Sequence, residues 1–189
     1  TLQKIFEISE SINDFAILSP INSDPNYPNY EISNDNKNIN ENIISVDYVD
    51  GFSMLINKEN FKDEDFFDES FFLYLENTDL CLRTKKRGQN IFIIKNSFIY
   101  HAGAGSIVSK DLEYLRNWHW MWSKFYFNKK HYGYFNAFSK IISNLLSAMF
   151  KYVFYLILFN SYKKKIYLMR ICGLYNSIIG KKSWFRIDA

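Results

Sequence analysis

The sequence predicts an α/β body over residues 1–108, followed by a helical tail over residues 109–189. Apolar runs of strand length alternate with helical patterns as far as His101, which is typical of an α/β sheet. From Ser109 onwards, three long stretches have helical periodicity instead. The charge changes at the same point, because residues 1–101 contain 9 Lys and Arg against 17 Asp and Glu, whereas residues 102–189 contain 14 against 3.

The first predicted elements of the body are a helix, a strand and a loop. Apolar residues at helical spacing predict a short amphipathic helix that ends near Ser11. The apolar run from Phe15 to Leu18 predicts a strand that stops at Pro20, because proline has no N–H group to donate. Residues 21–42 are rich in Asn, Ser and Asp, and they predict a long polar loop.

The remainder of the body is predicted to complete the sheet. Apolar runs and turn signals predict a strand over 43–56 bulged at Asp50 and Gly51, a helical turn over 58–63, a buried apolar run over 71–75, a helix over 78–87, and strands over 91–94 and 97–101. Gly88 follows that helix, as is typical of a C-terminal cap. These elements are expected to form a sheet flanked by helices.

The tail is predicted to be helical over 109–130, 135–159 and 162–179. The second helix carries a polar stripe, with apolar residues on the other side, which is typical of a helix lying in the plane of a membrane interface: Asn144, Ser147, Lys151 and Tyr155 form the stripe. These polar residues make it a poor membrane span, since a span needs about 20 predominantly apolar residues. Packing on the body is the alternative.

The composition of the tail indicates which partners it is suited to. Tryptophans and lysine clusters favour a membrane surface with anionic lipids: Trp118, Trp120, Trp122, Lys163–Lys165 and Lys181–Lys182. Nucleic acid is not favoured, because the basic residues alternate with apolar runs and do not gather on one polar face. Cys81 and Cys172 are far apart in a chain without a signal-peptide pattern, which favours free thiols in a reducing compartment.

Three polar residues at the start of the predicted 78–87 helix are candidates for a site. Glu76, Asn77 and Asp79 follow the apolar run 71–75, at a strand-to-helix junction of the kind where open α/β sheets bind ligands. Helix capping is the structural alternative, since acidic and amide side chains favour helix N-termini in any case. His101 at a strand end is a second candidate, with a histidine satisfied by backbone groups as its alternative.

The segment from Phe71 to Arg83, FFLYLENTDLCLR, resembles the FFxYxEDxDLCxR segment of family-2 glycosyltransferases, especially rhamnosyltransferase-like members. The resemblance is strong over 46–56 and 71–106 and weaker elsewhere. It implies the C-terminal half of a GT-A-type mixed sheet with a membrane-associated helical tail. It also implies that the nucleotide-binding half lies upstream, so that this segment alone is expected to be inactive.

The resemblance assigns roles to the candidate residues. The Asp after the Glu is the usual general base in the family, but this sequence has Asn77 there, and an amide is no base. Glu76 is then the substitute base by adjacency, and Asp79 is favoured for a structural role, with the choice between them open. Gly51 begins a stretch that lines the acceptor pocket, and Asp50 is expected to contact the acceptor.

The resemblance further implies a divalent cation, Mg²⁺ or Mn²⁺, with His101 as a ligand beside carboxylates expected upstream of this chain. The small residues 102–106 after His101 would allow close approach of a diphosphate. Asp63-Glu64-Asp65 is the only Asp-x-Asp pattern in the sequence, and a solvated acidic loop is the preferred interpretation.

The expected function is an inverting glycosyltransferase acting in surface polysaccharide synthesis. Its partners would be a nucleotide-sugar donor, a glycan or lipid-linked acceptor and the cytoplasmic face of the inner membrane. Asn77 keeps a second hypothesis open, namely a catalytically impaired paralogue that binds glycans or acts as a scaffold. A membrane-surface module without sugar chemistry is the third.

Overall fold

The computed structural model describes residues 2–12, 14–32, 38–62, 65–102 and 109–187, and these residues form a mixed α/β fold, as predicted. Their elements are, in chain order, α1 (Leu2–Ser11), β1 (Ile17–Asn22), β2 (Tyr30–Glu31), β3 (Asn38–Asn40), β4 (Ile43–Ser45), β5 (Tyr48–Val49), β6 (Leu55–Ile56), a 3₁₀ helix (Lys58–Phe61), α2 (Glu76–Lys86), β7 (Ile91–Ile99), α3 (Lys110–Tyr132), α4 (Tyr134–Ile157) and α5 (Ser161–Ile178).

The chain divides into two compact units. The sheet unit contains Thr1–Asp68 and Glu76–Gly105, and the helical unit contains Glu69–Leu75 and Ser106–Ala189. The segment Glu69–Leu75 therefore groups with the helices of the tail, although the sequence analysis assigned it to the body.

The main sheet of the sheet unit has five strands in the order β3-β4-β7-β1-β6. Only β1 and β7 are parallel, so the sheet is mixed. The expected stop at Pro20 was wrong, because β1 continues to Asn22. The register shifts directly after Pro20, from the Pro20–Ile94 pair to the Ile21–Phe98 pair. A bulge in β7 thus accommodates the proline, which has no N–H group for the ladder.

Two further strand predictions need correction. The expected strand over 43–56 is broken into the three short strands β4, β5 and β6, and β5 pairs with β2 in a separate two-stranded sheet. The two strands expected over 91–101 are one strand, β7, which ends at Ile99. The polar loop over 21–42 also contributes the short strands β2 and β3.

The core of the sheet unit lies on both faces of the main sheet. Ile17, Ile91 and Ile93 pack with α2 through Leu80 and Cys81. Neighbouring strand residues form the other cluster with Ile5 of α1: Leu18, Phe92 and Ile94. This alternation follows from the period of two along a strand. Helix α2 packs on the first of these faces and also contacts β5.

The helical unit consists of α3, α4 and α5, and the three predicted helices are confirmed within a few residues. Its core joins Met121 and Phe125 of α3, Ala137 and Ile141 of α4 and Leu174 of α5. Helices α3 and α5 approach closely at Gly173, where an added Cβ would lie 2.1 Å from the carbonyl oxygen of Trp118.

The polar stripe and the apolar side of α4 have different surroundings. Its polar stripe turns partly inward, since Asn144 accepts a hydrogen bond from Lys124 at 3.0 Å and Tyr155 stacks on Tyr167 at 5.6 Å. The exposed face is apolar and includes Phe150 and Ile157, which are 73% and 68% exposed. By length and composition alone, α4 would be able to cross a membrane, with a mean hydropathy of 1.3 over its most apolar window.

Candidate functional site

The segment that precedes the predicted site is not a strand. Residues 71–75 form a series of bends, and Phe72 is 43% exposed, so the expected buried strand-like run was wrong. The segment instead packs on α3, where Ser123 Oγ donates to the carbonyl oxygen of Leu73 at 2.7 Å. Tyr74 and Leu75 have φ angles of 68° and 69°. Left-handed backbone at non-glycine residues costs about 1–3 kcal/mol each and is often found at functional sites.

Helix α2 begins directly after this segment, at Glu76, two residues earlier than predicted. Its first turn therefore contains all three candidate residues, Glu76, Asn77 and Asp79. Their environments differ, because Asn77 and Asp79 are buried whereas Glu76 is partly exposed. The three side chains are consequently suited to different roles.

Asp79 is part of a structural ion pair. It is fully buried, and Arg83 Nε donates to its Oδ2 at 2.9 Å. The other guanidinium nitrogens of Arg83 donate to backbone carbonyl oxygens, Nη1 to Asp65 at 3.2 Å and Nη2 to Phe66 at 2.6 Å. Asp79 thus orients an arginine that holds a loop in place, and Oδ2 of its carboxylate is already bound to that arginine.

The side-chain amide of Asn77 belongs to a buried hydrogen-bond network. Its Nδ2 donates to the Tyr48 hydroxyl at 2.7 Å and to the carbonyl oxygen of Val49 at 3.3 Å. A carbonyl oxygen only accepts, so the nitrogen and not the oxygen of the amide must face Val49. The position therefore requires two donors, and a carboxylate would supply none.

Asp50 lies at the other end of this network. Tyr48 donates its hydroxyl proton to Asp50 Oδ1 at 2.5 Å. Burial raises the pKa of Tyr48, and the hydrogen bond to the Asp50 carboxylate raises it further. The charge of Asp50 also raises the pKa of Tyr27. Both phenols therefore stay protonated, and they direct their dipoles at a single carboxylate.

Gly51, the expected acceptor-pocket residue, contacts the helix start directly. An added Cβ at Gly51 would lie 3.2 Å from Cβ of Asn77, closer than ordinary van der Waals contact. The missing side chain thus allows the Asp50–Gly51 turn to lie against the first turn of α2. The structure thus brings Asp50, Gly51 and Asn77 together.

Glu76 differs from its two neighbours because one of its oxygens is buried without a partner. Within the part of the chain that the structure describes, Oε2 of Glu76 makes no hydrogen bond. Buried polar atoms in native proteins are nearly always hydrogen-bonded, so an exception calls for an explanation. A carboxylate oxygen without a partner can accept a hydrogen bond from a ligand hydroxyl.

His101 lies two residues beyond the end of β7 and is exposed. Its ring stacks on Phe52 with the centroids 4.3 Å apart and the planes at 8°. Its backbone N–H donates to Asn22 Oδ1 at 3.2 Å. Among the described residues, no group of three or more His, Cys, Asp or Glu side chains is placed to hold a metal ion. One imidazole does not by itself form a metal site, and the resemblance places the carboxylate ligands of the cation upstream of this chain.

Two predicted features lie outside the described residues. Asp63 and Glu64 of the Asp-x-Asp pattern belong to this group, and so do Gly103–Ser106 of the loop after His101. Cys81 is a free thiol, as the sequence analysis favoured, and it is buried, which raises the pKa of the thiol to about 11.

The sequence analysis missed the aromatic members of the site, namely Tyr27, Tyr48 and Phe52. A signal for Tyr48 was present, because Tyr48 and Asp50 are two residues apart and share one face of an extended segment. Tyr27 and Phe52 had no such signal, since their positions depend on contacts across the fold.

Comparisons with known proteins found no match to the chain among family models, curated proteins or solved structures.

Proposed function

We propose that this protein is an inverting glycosyltransferase of the GT-A type, which moves a sugar from a nucleotide-diphosphate donor to a glycan or lipid-linked acceptor. The sequence support is the resemblance of residues 46–56 and 71–106 to family-2 glycosyltransferases. The structural observation that carries the proposal is the buried, unpartnered Oε2 of Glu76 at the start of α2.

Glu76 is the general base in this proposal. Its carboxylate takes the proton from the acceptor hydroxyl while the hydroxyl oxygen forms a bond to the anomeric carbon of the donor. The bond between that carbon and the diphosphate breaks, and the diphosphate leaves with the electron pair. The alternative base Asp79 is less suited, because its carboxylate is bound to the guanidinium of Arg83.

The acceptor sugar is bound by Asp50 and by the stacked Phe52–His101 pair. The Asp50 carboxylate is held by the Tyr48 hydroxyl through one oxygen, and carboxylates offer further acceptor positions to sugar hydroxyls. The Phe52 and His101 rings present a flat surface against which the apolar face of a sugar ring packs. These groups all belong to the sheet unit.

The divalent cation, Mg²⁺ or Mn²⁺, enters the proposal from the resemblance alone. When bound, it would neutralise the charge that develops on the leaving diphosphate. Among the described residues, His101 is the side chain that the resemblance offers to it. The roles of Glu76 and Asp50 do not depend on the cation.

The helical unit is proposed to associate with the cytoplasmic face of the inner membrane. The support is the exposed apolar face of α4, which includes Phe135 and Phe150 at 89% and 73% exposure. Lys163, Lys164 and Lys165 at the start of α5 add positive charge suited to anionic lipids. Lipid-linked acceptors are found at such a surface.

The test is acceptor-dependent release of nucleoside diphosphate by the protein expressed from its own gene, with UDP-glucose, UDP-galactose and dTDP-rhamnose as donors. Glu76→Gln should lower turnover by about 10²–10⁴-fold, the usual contribution of a general base. Binding of acceptor saccharide, measured by saturation-transfer NMR, should persist. The matched control is Glu59→Gln, an exposed glutamate paired with Lys62, which should leave turnover unchanged. Unchanged turnover in Glu76→Gln would remove Glu76 as the base.

A second function, a glycan-binding protein without transfer activity, is favoured by one observation. Asn77 occupies the usual base position, and its amide is locked by Tyr48 and Val49. This hypothesis predicts that saccharides bind without turnover of any donor and that Phe52→Ala abolishes the binding. Donor turnover that depends on Glu76 would exclude it.

A further inference from the structure

A cavity of about 510 Å³ lies within the helical unit, apart from the residues discussed above. Its volume falls within the range of about 300–1,000 Å³ that is typical of small-molecule sites. Trp122 and Tyr126 of α3 stack at one side of it, with ring centroids 4.9 Å apart and planes at 22°. The lining residues come from segment 69–70, from α3 and from the residues after α5: Glu69, Ser70, Trp122, Tyr126, Lys129, Gly180, Lys181, Lys182, Ser183 and Arg186.

The charge of this lining is strongly positive. It contains four cationic side chains, Lys129, Lys181, Lys182 and Arg186, and one carboxylate, Glu69. Within the described part of the chain, none of the three lysines forms an ion pair with an acidic residue. Concave clusters of one sign of charge attract ligands of the opposite sign.

The segment that carries two of these lysines is fixed to the helices. The indole N–H of Trp122 donates to the carbonyl oxygen of Lys181 at 2.9 Å. Ser183 Oγ is 2.9 Å from Nδ1 of the buried His119, and the guanidinium of Arg186 lies 3.5 Å from the centroid of the Phe72 ring. The backbone of residues 181–186 is thereby held in place, which fixes the positions from which the side chains of Lys181 and Lys182 extend.

The charge of the cavity favours phosphate groups over carboxylates as ligands. Four cations less the carboxylate of Glu69 leave the lining with three net positive charges. A ligand with one carboxylate would neutralise one of them, whereas a phosphate monoester carries about −2 and a diphosphate more. Lysine ammonium groups bind phosphate oxygens as point charges, without the planar geometry that an arginine and a carboxylate share. The half-buried Tyr126 ring provides an adjoining surface for a sugar or other ring.

We infer that this cavity is a binding site for a phosphate or diphosphate group. The inference does not depend on glycosyl transfer, because it concerns the helical unit and binding alone. Two kinds of ligand carry such a group, namely a soluble phosphate compound and a lipid with a phosphate headgroup. Lys129, Lys181 and Lys182 contact the phosphate oxygens in either case.

The experiment measures binding of pyrophosphate to the full chain by isothermal titration calorimetry. The double variant Lys181→Gln/Lys182→Gln should weaken binding about tenfold or more, because it removes two charge-assisted contacts. The matched control, Lys4→Gln/Lys58→Gln, removes the same charge from exposed positions of the sheet unit outside the cavity and should change binding less than about twofold. Thermal melting of both variants checks that the fold is retained, and Lys129→Gln on α3 repeats the test from another element.

The outcomes separate the inference from general charge attraction. Equal losses in the two double variants, or no binding of pyrophosphate by the unaltered protein, would overturn it. The source is identified by flotation with vesicles of phosphatidylcholine and phosphatidic acid, against phosphatidylcholine alone. A lipid headgroup predicts that the Lys181/Lys182 variant floats less than the control. Pyrophosphate binding with equal flotation of both variants indicates a soluble phosphate compound.

Discussion

In both the sheet unit and the helical unit, a buried side chain holds an irregular segment in place. The sheet unit uses an ion pair for this, and the helical unit uses a neutral imidazole. In the sheet unit, the Asp79–Arg83 ion pair holds the carbonyl oxygens of Asp65 and Phe66. In the helical unit, His119 Nε2 is 2.8 Å from the carbonyl oxygen of Phe185. That carbonyl only accepts, so Nε2 carries the proton, and neutral Nδ1 accepts from Ser183.

These two kinds of contact lose their stabilising effect under different conditions. A buried ion pair fails when one partner is removed, because the other charge is then left in a medium of low dielectric. A buried neutral imidazole fails when it gains a proton, because the charged form is poorly solvated there. The acidic sheet unit should therefore be sensitive to substitution at its anchor, and the basic helical unit to acid.

The largest effect is expected from Arg83→Gln. This change leaves Asp79 buried without its cationic partner, and breaking a buried pair costs about 3–5 kcal/mol in the free energy of unfolding. The matched control is Lys85→Gln, since Lys85 is 3.4 Å from Asp47 and both side chains are about one-third exposed. Such a pair contributes about 0–1 kcal/mol. Urea unfolding of both variants measures the difference, and equal effects would refute the assignment of Asp79 to a structural ion pair.

Acid should weaken the helical unit through His119. Burial, the largest cause, lowers the pKa of His119 from 6.5 to about 4. Because the folded pKa is the lower one, the folded state binds fewer protons. The stability that neutral His119 contributes is complete above pH 6.5 and is lost as the pH falls towards 4. At 1.36 kcal/mol per pKa unit, the loss is at most about 3 kcal/mol.

This acid effect is measured by hydrogen exchange of α3 and α5 across that pH range. The slope of stability against pH should disappear in His119→Gln and persist in His131→Gln, since His131 lies at the end of α3 and is only half-buried. An unchanged slope in His119→Gln would assign the acid sensitivity to other groups.

A smaller effect is expected from Asn77→Asp, which would introduce the residue that usually serves as the base in family-2 glycosyltransferases. The carboxylate would face the carbonyl oxygen of Val49 and would remove the donor to Tyr48, at a cost of about 1–3 kcal/mol. The account therefore predicts lower stability and no gain in turnover. Asn26→Asp, at an exposed turn position, should change the stability by less than about 0.5 kcal/mol. A large gain in turnover for Asn77→Asp would support an impaired base at position 77.

The sequence was sufficient to predict the helices, because their periodicity extends over many turns. Helices α3, α4 and α5 were each located within a few residues. The face of α4 that packs inward was not predictable, since it depends on Lys124 of α3 and Tyr167 of α5 as partners for its polar residues. Hydrophobic periodicity identifies an amphipathic helix but not what covers each face.

The errors in the sheet unit have a similar origin. Pro20 indicated a strand end, but the bulge that accommodates it lies in β7, more than 70 residues away in the sequence. The run 71–75 has the composition of a strand, yet α3 supplies aromatic partners that hold it in an irregular conformation, such as Tyr126 against Phe71 at 5.0 Å. For the candidate site, the resemblance suggested Asp50 and Gly51 and the polar residues after the 71–75 run suggested Glu76, whereas the Tyr27 and Phe52 contacts required the fold.

The most direct test of the central claim is the pH dependence of kcat/KM for acceptor-dependent donor turnover, compared between the unaltered protein and Glu76→Gln. The account predicts that the rate of the unaltered protein falls in acid as one carboxyl group is protonated, and that this acid limb is absent from the residual rate of Glu76→Gln. An identical acid limb in Glu76→Gln would show that another group accepts the proton and would contradict the assignment of Glu76 as the base.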